Sequence, residues 1–151
     1  MHKLALVAFL LLAPALTPAD DRATTKDAER MVHKAVDLIK TQGKDKAFAV
    51  FDDPKGPFTY HDLYILVIDF KGVVLAHGTK PELIGKNDFD RKDKTGKFFT
   101  REMIEIAKTK GNGWEEYQFE NPATGKLETK VAYVERPGEN EFFVACGAYK
   151  P

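Results

Sequence analysis

The apolar positions of the chain fall into stretches with two different periods. From 24 to 42, Ala28, Met31, Val32, Ala35, Leu38 and Ile39 recur three and four apart with Lys, Asp and Arg between them, the stripe of an amphipathic helix. Thr25 reads as its N-cap, Asp27 and Glu29 sit in the first turn where the helix dipole favours acid, and Gly43 ends it. A shorter amphipathic piece, 47–51, closes at Asp53-Pro54 and leads into a turn at "DPKGP". The period then drops to that of strands. "LYILVIDF" is dense in β-branched and aromatic residues, Lys71-Gly72 makes a tight turn, and "VVLAH" returns. Both faces of the first strand are apolar, which places it at the centre of a sheet covered on each side.

"KPELIGKNDFDRKDKTGK" is a polar connection punctuated by Pro81, Gly85 and Gly96, and long connections inside compact domains often carry function. Phe99, Met103, Ile104, Ile106 and Ala107 then mark a second helix over 98–110, with Thr100 near its start and Gly111 after it. Three strands remain, "GWEEYQFE", "KLETKVAYVE" and "NEFFVACGAY", joined by the hairpin connections "NPATGK" and "RPGEN". Helix, hairpin, crossover with helix and three-stranded meander together predict an α+β domain. Its sheet has five antiparallel strands.

The first residues stand outside that pattern. His2 and Lys3 make a polar, basic start, 4–13 is apolar, and Thr17-Pro18-Ala19 offers small residues before Asp20. That order predicts a secretory signal of residues 1–19, with the cut as late as Ala23. The apolar run is shorter than the ~20 residues of a spanning helix. Residues 24–150 form one domain on this reading, exported to the periplasm or beyond. The chain stops at Pro151, straight after the last strand, which reads as a standalone module.

Charge and motifs narrow the function further. The 23 basic and 23 acidic residues balance, so no single-signed field points to nucleic acid. Cys146 is the single cysteine, which excludes an intrachain disulfide and reads as a small buried strand residue. No CxxCH, zinc spacing, GxSxG or phosphate-cradling glycine loop occurs. Asp88, Asp90 and Asp93 resemble a hard-cation loop only loosely, lacking its Gly and terminal Glu and opposed by Arg91, Lys92 and Lys94. The reading is a binding protein rather than an enzyme, with no cofactor and no metal.

Several segments in order carry a family resemblance: Asp62-Leu63-Tyr64 opening the strand, Asp69 before the Lys71-Gly72 turn, "LAHG" at 75–78 and "PELIGKN" at 81–87, then "KTGKFFTREMIEIAKTKGNGWEEYQFENP" at 94–122, "TKVAYVE" at 129–135 and "CGAYK" at 146–150. Together they resemble the single Cache domain, the PAS-like extracytoplasmic sensor module of bacterial chemoreceptors and sensor kinases. The resemblance implies a long N-terminal helix on one sheet face. On the other face, under the connection after the second strand, it implies a pocket for small organic acids, amino acids or related metabolites. Family members usually feed a membrane helix and an output domain. A standalone module would instead signal through a separate membrane receptor or sensor kinase, with the N-terminal helix as the contact of a homodimer.

Six residues are candidates for that pocket. His77, at a strand end beside Gly78, can donate and accept hydrogen bonds and could follow a carboxylate by changing its protonation. Lys130 is a cation in an apolar strand, and the resemblance implies that it meets the ligand's acid group. Tyr64, Trp114, Tyr117 and Tyr133 supply apolar bodies with polar tips. Strand alternation sets Lys130 against Tyr133 and Trp114 against Tyr117, because residues three apart point to opposite faces. Lys130 and Tyr117 are the members preferred for polar contact. The main reading is an exported sensor module for a small carboxylate. The alternative is an accessory protein that keeps the scaffold for protein contact without a ligand.

Overall fold

A computed structural model describes residues 22–121 and 123–151; the expected leader, 1–19, lies outside them. Helix α1 (Thr25–Gln42) is capped one residue earlier than its sequence suggested. The Thr24 hydroxyl accepts from the Asp27 N–H while the Asp27 carboxylate accepts from the Thr24 N–H, a reciprocal capping box. Gly43, with φ 84°, ends α1 and opens α2 (Lys44–Phe51).

The run read as one strand is broken in two. β1 (Thr59–Tyr60) and β2 (Leu63–Tyr64) form a small hairpin with His61 at φ 53° in its turn. β3 (Leu66–Asp69) then joins the main sheet. The break falls at Ile65 because the partner changes there: Tyr64 pairs with Thr59, whereas Leu66 pairs with His77 and Ala145.

β4 (Val74–His77) follows the expected tight turn, where the Asp69 carboxylate accepts from the N–H groups of Lys71 and Val73, both at 2.9 Å. Gly72 is needed there, since its φ is 90° and a Cβ would lie 2.5 Å from that of Phe89. After a short 3-10 turn come α3 (Phe99–Thr109), β5 (Asn112–Asn121), β6 (Lys126–Glu135) and β7 (Phe142–Tyr149). The five-stranded antiparallel sheet has the order β4-β3-β7-β6-β5.

Alternation along the strands sends side chains into two cores. Val67, Tyr133, Val144 and Cys146 pack with α1, and Ile68, Ala132, Val134, Phe143 and Ala145 with α3. β3 is therefore covered on both sides, as its apolar run predicted. The Cys146 thiol lies beside Met31 and burial pushes its pKa up to about 12, so it packs as an inert small residue. Beyond α3 the second face is covered by the connection after β4. Asp93 pins that connection: Oδ1 accepts from Thr95 and from the Lys97 N–H, and Oδ2 accepts from the Gln118 N–H of β5 at 3.0 Å.

Candidate functional site

Between the sheet and this connection lies a cavity of about 550 Å³. Tyr64, Phe119 and Tyr149 line it from the sheet side, Asp62 from the turn before β2, and Lys80, Arg91, Lys92, Asp93 and Lys94 from the connection. Four cations thus face the carboxylates of Asp62, Asp93 and Glu120.

Lys130 lies one layer beneath this wall and is only 3% exposed. Register explains the placement, because on β6 it is opposed by Tyr117 of β5 and Tyr149 of β7. Its ammonium donates to the Tyr64 hydroxyl at 3.2 Å and lies 4.6, 5.4 and 5.1 Å from the ring centres of Tyr64, Phe119 and Tyr149. Among the described residues no carboxylate reaches it within ion-pair distance. Burial opposes its charge, and the hydrogen bond to the Tyr64 hydroxyl and the surrounding aromatic faces favour it. A charged ammonium with three donors has one hydrogen bond and three aromatic faces. Burial likewise raises Tyr117, and it pushes Tyr149 up to about 12, so both phenols are neutral.

His77 does not line the cavity. It is 4% exposed and stacks on Tyr64 with ring centres 4.8 Å apart, while its Nδ1 accepts from the N–H groups of Thr79 and Lys80 at 3.3 and 3.0 Å. Those two bonds leave Nε2 as the protonated nitrogen of a neutral ring. Burial, with the nearby charge of Lys130, lowers its pKa to about 4. In this arrangement His77 buttresses Tyr64 and anchors the start of the connection.

The remaining candidates divide by face. Tyr117 is buried beneath the wall, stacked on Phe99 at 4.4 Å and edge-on to Phe119. Trp114 and Tyr133, cross-strand partners, lie on the α1 face, away from the cavity. Trp114 is 42% exposed and Tyr133 packs edge-on to His33 of α1. The two-residue period of the strands thus separates these two candidates from Tyr64, Tyr117 and Lys130. The loop acids are engaged with side chains or backbone: Asp88 pairs with Arg91, Asp90 with Arg101, and Asp93 makes the clasp described above. Sequence reasoning assigned no role to Phe119, Tyr149 or Asp62. Tyr149 stands on the same face as Lys130 one strand away, a relation that appears only once register is known.

The fold is thus a five-stranded antiparallel sheet with a cavity under its crossover and a buried cation beneath that cavity. The chain belongs to the single Cache domain 2 family, whose model matches residues 19–150. It is 30% identical over 88 residues to the sensor histidine kinase MctS of Rhizobium johnstonii, a match covering 58% of this chain and 19% of that protein. The matched stretch is thus about a fifth of that relative's length. Its fold is similar to a methyl-accepting chemotaxis protein from Vibrio parahaemolyticus (TM-score 0.67, 22% identity, 82% of this chain and 86% of that one). A Cache chemosensory domain solved for carboxylic acid recognition is also similar (TM-score 0.63, 20% identity, 83% and 88%). The chain is therefore homologous to the sensor domains of chemoreceptors and histidine kinases, a ligand-binding family.

Proposed function

We propose that the chain is an exported sensor module that binds a small organic acid or amino acid by its carboxylate and reports occupancy to a separate membrane receptor or kinase. The observation that carries this reading is Lys130, a buried ammonium with one neutral hydrogen bond and no acidic partner among the described residues. An isolated buried charge is costly unless paired, and an incoming carboxylate supplies the missing charge. Tyr64 connects the two. It accepts from Lys130 and lines the cavity, so its own proton is available to a ligand oxygen, strengthened by the cation behind it.

Thermal-shift screening of small carboxylates, followed by calorimetric titration, tests the reading, because a ligand that binds only the folded state raises its stability. Lys130→Met keeps most of the stem's bulk and is expected to weaken binding about 10- to 100-fold, as the loss of a charge-assisted interaction implies. Equal binding by a folded Lys130→Met variant would defeat the assignment. A screen without any binder would favour the accessory role by protein contact. Export is checked by mass: the protein from its native host should lack about 19 to 23 residues.

A further inference from the structure

We infer that a signal peptidase cuts the exported chain at the Ala19–Asp20 bond and not after Ala23, because Arg22 and Ala23 form a clasp that the folded domain needs. This rests on the export reading above and fixes where the leader ends.

Ala23 precedes the N-cap of α1, yet it packs as a core residue. It is 4% exposed. Its N–H donates to Asp62 Oδ1 at 3.1 Å, while Oδ2 of the same carboxylate is buried without a hydrogen-bond partner. Arg22 makes the other half of the clasp, its guanidinium donating to Glu128 Oε2 at 3.2 Å and to the Lys150 carbonyl at 3.3 Å. Glu128 is held ready for it, since Asn121 donates to the same oxygen at 2.7 Å and Thr124 donates to Oε1 at 3.0 Å. The two residues thus tie the start of α1 to the turn before β2, to β6 and to the residue that follows β7. Two of these points adjoin the cavity, because Asp62 lines it and Lys150 follows Tyr149, which lines it as well.

The sequence offers two bonds that follow an alanine. Two residues before Ala19 stands Thr17, and two before Ala23 stands Asp21. A peptidase that selects small side chains at the first and third positions before the cut fits the first set and meets a carboxylate in the second. The clasp separates them further. A cut after Ala23 would remove a buried side chain, take from Asp62 Oδ1 its Ala23 donor beside an oxygen already unpartnered, and release Glu128 and the Lys150 carbonyl from Arg22. A cut after Ala19 costs none of this. Water adds across the Ala19–Asp20 amide, leaving a carboxylate on Ala19 and an ammonium on Asp20, and the clasp stays on the mature chain.

The test has two arms. N-terminal sequencing of the protein from its native host is expected to read Asp20 first. Any other start within the chain overturns the inference while export stands, whereas an uncut chain overturns export and this inference together. In the second arm, residues 20–151 and 24–151 are produced without a leader and compared in thermal unfolding. The shorter protein keeps Thr24 and its capping box but lacks the clasp, and its Tm is expected to fall by about 5 °C or more. Arg22→Ala in the 20–151 protein removes only the outer half and should fall in between, so the clasp is tested even where 24–151 does not fold. An Arg22→Ala protein as stable as its parent, or a 24–151 protein as stable as 20–151, would show the clasp to be dispensable and overturn the reason given for the cut.

Discussion

The stem of Lys130 lies flat on the backbone of Gly147, its diagonal neighbour across β6 and β7. A Cβ added at Gly147 would meet Lys130 Cε at 2.6 Å and Cγ at 3.1 Å. The glycine in "CGAY" is thus a seat for the cation rather than a turn.

Gly147→Ala is expected to displace the lysine stem, destabilise the fold by about 1–3 kcal/mol as overpacking does, and weaken carboxylate binding. The same substitution in a Lys130→Ala background should cost much less, because the stem that it strikes is gone. Urea unfolding of the four proteins checks this. Equal costs in both backgrounds would mean that Gly147 is required for another reason.

His77 links the fold to pH. Its pKa is about 4 when folded and about 6.5 when unfolded, so between those values the unfolded chain binds more protons and stability rises with pH. The contribution is fully present above about pH 6.5 and is lost as pH falls through 4, on the order of 3 kcal/mol in all. Burial raises the pKa of Asp52, whose carboxylate accepts the His77 N–H; it acts in the opposite sense but is common to both proteins compared. His77→Asn retains a side-chain acceptor for Thr79 and Lys80 and does not titrate. It should be less stable at pH 7 yet flatter from 6.5 to 4. A parallel pH profile for the two proteins would show that His77 is not the group responsible.

Asp93 couples the connection to the sheet, and hydrogen bonds to Thr95, Gln118 and Lys97 hold its carboxyl well below the usual carboxylate range. Asn can replace one of its oxygens but turns an N–H₂ toward donors at the other. Asp93→Asn is therefore expected to raise amide exchange at Gln118 and across 94–97, and to loosen the cavity roof, with little change in the core strands. Exchange that rises uniformly over the chain would point to global destabilisation instead.

The architecture was legible because its signals are periodic. The stripe from Ala28 to Ile39, the two-faced run Val67-Ile68 and the three-stranded meander each follow from sequence spacing alone, and all appear in the structure. The break at Ile65 was not legible, since apolar density looks the same whether a strand keeps its partner or changes it. The same holds for the site. Alternation correctly set Trp114 against Tyr117 and Tyr133 against Lys130, but only register brings Tyr149, Tyr117 and Lys130 into one row. Asp62 was visible as a motif residue; its unfilled oxygen was not.

The contact between Lys130 and Tyr64 leads to the sharpest test of how charge reaches the cavity. If the cation acts through the tyrosine hydroxyl, the two residues form one unit, and removing either should abolish the same interaction. Tyr64→Phe keeps the ring that stacks on His77 but leaves the ammonium without its hydrogen bond, a loss of about 1–3 kcal/mol in stability. It should weaken carboxylate binding about tenfold or more, in line with a charge-assisted bond. In a Lys130→Met background the effect of Tyr64→Phe on binding should shrink to a few-fold, because the hydroxyl is no longer polarised. A double-mutant cycle of binding free energies measures this directly, since residues in one hydrogen-bonded network couple by about 0.5–3 kcal/mol whereas independent ones add. Additive effects would mean that Lys130 and Tyr64 reach the ligand separately, and the relay through the hydroxyl would be wrong.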